Sequence, residues 1–296
     1  MTARRWLAFA VFGLAIGGCN DPAGPPLFLR NDLLAYRSLV EGGLFVMRPD
    51  GSSRHRIWFG NDFAMCDSWA PDGSAIAFHS GNQIIKVTVA TAHEDTLTSG
   101  PYYNHCPMWS PDSRRIAFIR FADTMTAGYQ LYVMSADGTN PTRLGTATFV
   151  ADRGSWSPDG KWIAATRFAD DQIVLINATT GEAGTPLKFG RAPSWSPDGQ
   201  RIAFSAQTSS GSAIYVMDSS GQNVQPLTSG DLVDQYPVWT PDGTLITFHR
   251  YEYMPQPSLP PRLVSSLHML HLDGGAVPWP VGESAGGDLV IWRPQR

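Results

Sequence analysis

The chain is poor in the residues on which much binding and catalytic chemistry rests. Lysine occurs only at positions 86, 161 and 188, charged residues make up 16% of the 296, and the formal net charge is −4. A surface so sparsely and negatively charged excludes nucleic acid as a partner, because gripping a phosphate backbone takes clustered cations. No apolar run reaches membrane-spanning length, and the N-terminal one, Trp6–Ile16, is too short. The seven histidines show no metal-ligand spacing such as His-Glu-x-x-His, so no cofactor is expected.

One esterase-like motif fails for want of partners. Gly282-Glu283-Ser284-Ala285-Gly286 matches G-x-S-x-G, whose serine needs an acid and then a histidine later in the chain. The last histidine is His271. The segment reads instead as a Gly-rich link between blades.

What the chain has in quantity is a repeat. WSPDGQRIAF at Trp195 is matched by WAPDGSAIAF at Trp69, WSPDSRRIAF at Trp109, WSPDGKWIAA at Trp156 and WTPDGTLITF at Trp239, with a truncated WRPQR at Trp292. Each copy predicts a hairpin: a short Trp strand, a type I Ser-Pro-Asp-Gly turn with Gly left-handed, then an Ile-Ala-Phe strand. The third copy has Ser113 where Gly belongs, which predicts a strained turn. A third strand follows, as in Ala213–Asp218, and then a weaker fourth. Four antiparallel strands per period of 39 to 53 residues, Trp to Trp, are the pattern of a propeller blade. Asp32–Ser38 and Gly43–Met47 match second and third strands of a unit lacking its Trp strand. Ile291–Pro294 supplies that strand, so the two ends close an all-β ring of six blades and remove both sheet edges.

These residues resemble the TolB-type β-propeller repeat, over nearly the whole chain after its leader. The resemblance implies a six-bladed propeller with the Trp strand innermost, acting as a non-enzymatic scaffold. It also implies a protein or peptide docked on the loop-bearing face or in the channel. No α/β domain precedes the first blade, whereas TolB has one.

Residues 1–18 read as a lipoprotein signal peptide: a basic Thr2–Arg5, an apolar Trp6–Ile16, and Ile16-Gly17-Gly18-Cys19 resembling a lipobox. Cys19 is the expected lipidation site, residues 19–29 a tether, and residues 30–296 the propeller. Removing Arg4 and Arg5 takes the net charge from −4 to −6. The expected location is the periplasmic face of a bacterial outer membrane, as a monomer held by its lipid. In that oxidising setting Cys66 and Cys106 permit a disulfide, although inner strands of neighbouring blades stand far apart; two buried thiols are the alternative.

Candidate site residues lie just before the Trp strands, where the repeat is not uniform and the chain nears the central axis: His105, Asp152, Arg153, Arg191, Asp234 and Asp288. They define a channel mouth for a ligand or partner, or a solvated rim of compensating charges. An alternative is a metal-assisted lyase acting on uronate polymers, with His105 as base beside Arg153 and Arg191.

Overall fold

A single side-chain network builds four of the five described hairpins of the repeat. Ser196 Oγ donates to Asp198 Oδ1 at 2.6 Å and accepts the Arg201 N–H at 2.9 Å, while Gly199 N–H closes the turn on the Ser196 carbonyl at 2.9 Å. Ser110–Asp112, Ser157–Asp159 and Thr240–Asp242 repeat the 2.6 Å bond. Gly199 sits at φ +70°, where a side chain would be strained. Ser113 takes the same conformation at φ +57°, as its sequence position predicts, and its Oγ accepts the Asp72 N–H of the preceding blade. In the second blade Ala70 replaces the serine, and Ser74 Oγ takes over the bond to Asp72 at 2.6 Å.

The computed structural model describes residues 34–37, 41–48, 53–60, 66–121, 129–150, 152–256, 259–272, 279–284 and 290–292; the leader, the tether and Asp288 lie outside them. The strands form six four-stranded blades, each numbered by its Trp strand. Blade 1 holds Leu34–Arg37, Leu44–Met47, His55–Trp58 and the C-terminal Val290–Trp292. Blades 2 and 3 are Ser68–Trp69, Ala75–Ser80, Gln83–Thr88 and His93–Thr96, then Tyr103–Trp109, Arg115–Phe121, Tyr129–Ser135 and Thr142–Phe149. Blade 4 is Ser155–Trp156, Trp162–Thr166, Gln172–Asn177 and Lys188–Phe189. Blade 5 is Arg191–Trp195, Arg201–Gln207, Ser212–Asp218 and Gln225–Pro226. Blade 6 is Val233–Trp239, Leu245–Gln256, Leu259–His271 and Trp279–Ser284, joined to blade 5 by one parallel pair, Ser212 with Val233. Among the described residues there is no helix.

The ring closes as the repeat predicts: Leu34, Ala35 and Tyr36 pair antiparallel with Trp292, Ile291 and Val290. Each apolar cluster spans neighbouring blades, so the core runs around the ring between sheets. Phe78, Phe118, Phe204 and Phe248, the phenylalanine of each Ile-Ala-Phe-type motif, are buried, each contributing roughly 1.5–3 kcal/mol. Trp156 and Trp239 stitch blades together, their indole N–H groups donating to Met108 and Ser194 carbonyls at 3.1 Å.

The second and third strands of blade 6 continue past Tyr251 as an extended hairpin, in register to Gln256 and Leu259. One reading changes. Gly282–Ser284 lies in the outer strand of blade 6, where Ser284 pairs with Ser265, rather than in a link. A paired sheet strand is no strand-to-helix elbow, so this serine remains excluded as a nucleophile.

Candidate functional site

An antiparallel meander alternates its links. The Ser-Pro-Asp-Gly turns and the third-to-fourth links share one face, here the turn face. The second-to-third and inter-blade links share the other, the loop face. The inner strands run between them along the axis.

Those inner strands carry a bulge that the sequence did not disclose. The register shifts between His105 and Met108, Arg191 and Ser194, and Gln235 and Val238. Cys106, Ala192 and Tyr236 sit there in left-handed conformation, at φ +48°, +51° and +57°. All lie three residues before a repeat Trp, as do Cys66 and Arg153. A bulge re-aims the side chain it carries, and Cys66, Cys106 and Arg153 line the central cavity. Cys66 and Cys106 form a disulfide with Cα atoms 4.6 Å apart, because inner strands converge at the axis more closely than expected.

The sequence-nominated residues fall into three groups. Asp152, Arg153 and Arg191 belong together. Asp152 accepts the backbone N–H groups of Arg153 at 2.7 Å and of Ala192 at 3.0 Å, and burial pushes its carboxyl up to about 6. Burial lowers the Arg153 pKa, opposed first by Asp67, then by Tyr236, Asp152 and Tyr251, so its field reaches blades 2 and 6. Burial pushes Tyr236 up to about 12 and, with the Arg153 and His268 charges, His249 down to about 3. Arg191 is half exposed and pairs with Asp171 through two 2.9 Å bonds.

Asp234 stands apart. It is buried and held by Arg250 at 2.7 and 2.8 Å, as Asn104 is by Arg120 at the equivalent place in blade 3. This repeated pair holds the second strand to the inner one. His105 forms the third group, its ring 4.7 Å from that of His79 and flanked by Tyr103 and Tyr129 at 6.4 and 6.2 Å; burial lowers its pKa. These groups are thus enclosed or paired, and the picture of a wholly solvated charged mouth holds only for Arg191. Among the described residues no three of His, Cys, Asp or Glu are placed to hold a metal ion.

Apolar exposure is the feature sequence reasoning missed. Phe59, Tyr102, Tyr103, Phe168, Phe189 and Leu232 are exposed, with Phe59 at 75% and Phe189 at 54%. All of these lie in loop-face links or at the ends of strands meeting them; of the large exposed apolar side chains described, Val224 alone is at the turn face. Reading the inter-blade links in the repeat frame would have found four of them, since Phe59, Tyr102, Phe189 and Leu232 each sit six to ten residues before a Trp.

The fold and its central channel define a closed six-bladed β-propeller. A family profile described as the TolB beta propeller domain matches residues 35–187 and 115–252, and the chain belongs to that family. TolB from Acinetobacter baumannii superposes with a TM-score of 0.68 at 20% identity, over 89% of this chain and 67% of that one. A putative TolB from Agrobacterium tumefaciens gives 0.66 at 18%, over 88% and 97%. An oligogalacturonate lyase from Vibrio parahaemolyticus gives 0.56 at 11%, over 85% and 79%. No curated protein matches the sequence.

Proposed function

We propose that the chain is a non-enzymatic docking scaffold of the bacterial cell envelope, lipid-anchored at Cys19, that binds an envelope protein or peptide on its loop face. The confinement of exposed aromatics to that face, among the described residues, carries this reading. A rigid ring fixes those links, and clustered apolar exposure on one face marks interaction surfaces. Arg191, beside Phe189, supplies a polar contact at the rim, as a protein interface requires. Asp152 and Arg153 lie beneath and position the inner strands. His105 and Tyr103 extend the same face over blade 3.

The test is capture from membrane extract by the immobilised wild type and by a Phe59→Ser/Phe168→Ser/Phe189→Ser variant. The expected result is one or a few proteins retained by the wild type and lost by the variant. Equal capture by a variant with an unchanged melt would refute loop-face docking. Fatty-acid labelling of wild type and not of Cys19→Ser tests the anchor, and fractionation of the envelope tests the outer-membrane location.

A second reading has one specific support, the perturbed groups Asp152, Arg153, Tyr236 and His249 gathered near the axis. It is the uronate-polymer lyase, assayed by ultraviolet absorbance of unsaturated product with and without added divalent metal.

A further inference from the structure

The opposite end of the channel is also a chamber. A cavity of about 410 Å³ opens between the turn prolines and runs inward past the five internal repeat tryptophans. It ends on the Cys66–Cys106 disulfide, Asp67 and Arg153. That volume lies within the range of small-molecule sites, which are mostly apolar with a few placed polar groups. The proline rings and indoles supply the apolar wall. The disulfide ties two of the inner strands forming the floor, so the chamber is preformed.

The chamber's chemistry is selective. Arg153 is the one cationic side chain lining it and Asp67 the one carboxylate, both among described residues. Asp67 is buried and the guanidinium lies in a desolvated place. A guanidinium carries five N–H donors in a fixed fork, enough to serve Asp67 and a second oxyanion together. Arg115 and Arg201 lie over the rings of Trp156 and Trp239, at 4.8 and 5.4 Å, so those indoles have cations on a face. Indole edges bear partial positive charge, which suits an anion or the face of another ring.

We propose that this chamber binds an amphipathic monoanion: a compact apolar or aromatic body against the tryptophans and prolines, with one carboxylate or sulfonate reaching Arg153. It is a different site from the loop face and does not depend on docking there.

The probe is anilinonaphthalene sulfonate, titrated into the full chain and followed by its own fluorescence and by quenching of tryptophan. Saturable binding of one molecule per chain is expected. Val238→Trp, which fills the chamber wall, should weaken it about tenfold or more, and Arg153→Gln should do the same by removing the anion's partner. Arg143→Gln, a cation outside the chamber, and Phe189→Ser, on the loop face, should leave it unchanged. Binding that survives Val238→Trp undiminished, or that falls with Phe189→Ser instead, overturns the proposal. If Arg153→Gln lacks a cooperative melt, Val238→Trp decides alone.

Discussion

Asp152 accepts the backbone N–H of Ala192 at 3.0 Å, across 40 residues and the junction of blades 4 and 5. The bond fastens the segment leading into one inner strand to the next strand at the left-handed Ala192, at the expense of a desolvated carboxylate.

That expense depends on pH. With its pKa pushed up to about 6, above the usual carboxylate range, Asp152 holds its proton in the fold when the unfolded chain has lost it. Its contribution therefore grows less favourable as pH rises from about 4 to about 6, and is constant above. The difference in Tm, Asp152→Asn minus wild type, should become more positive between pH 4 and pH 7, by the equivalent of roughly 1–3 kcal/mol. Melts at a series of pH values measure it, and a difference that does not vary with pH would exclude the assignment.

The turn network predicts opposite effects at equivalent sites. Thr240→Val deprives the Leu245 N–H and Asp242 of their buried partner, which should cost about 1–3 kcal/mol. Ala70→Ser should restore the missing hydroxyl in blade 2 and raise the Tm. At Ser113 two effects compete: glycine relieves a left-handed residue worth about 1 kcal/mol but loses the bond to Asp72. Ser113→Gly should melt within a degree or two of wild type, and Ser113→Ala clearly lower. Thermal scans of the four variants check the set.

Two arginines nominated by the same reading should behave differently. Arg191 is a half-exposed ion-pair partner, so Arg191→Ala should cost no more than about 1 kcal/mol. Arg153 compensates Asp67 within a desolvated cluster, and Arg153→Ala should cost about 3–5 kcal/mol. Urea unfolding of both decides. Equal midpoints would mean that Arg153 is solvated after all.

The disulfide encloses a loop of 40 residues, one whole blade. Chain entropy gives it about 4 kcal/mol. The Cys66→Ser/Cys106→Ser variant should melt well below the oxidised protein, and reduction should shift the wild type by the same amount. A variant as stable as the oxidised chain would show that the ring alone fixes blade 2.

The propeller was legible because Trp, Pro, Asp and Gly recur at positions where backbone geometry demands them. Ring closure was legible for the same reason, as Ile291-Trp292 is the missing strand of the first unit. The site was less so. The bulge falls on Cys106, Ala192 and Tyr236, three unlike residues with no common backbone preference, so it left no mark in composition. Asp234 looked idiosyncratic because its partner Arg250 lies across the hairpin, and the matching pair in blade 3 uses Asn104 in place of an acid. The repeat frame places Phe59 and Phe189 in inter-blade links, but how far each side chain stands out from its link depends on packing that the spacing does not carry.

Pairing of Val290–Trp292 with Leu34–Arg37 also sets an order in time. Blades 2 to 6 each consist of contiguous chain and can form as they emerge, one after another. Blade 1 must wait, its inner edge open, until a strand more than 250 residues downstream arrives. Contacts so distant in sequence carry the largest loop-closure cost and slow the final step. A chain stalled short of Val290 would present that unpaired edge to whatever strand came first, so the closing strand guards the edge that blade 1 leaves open.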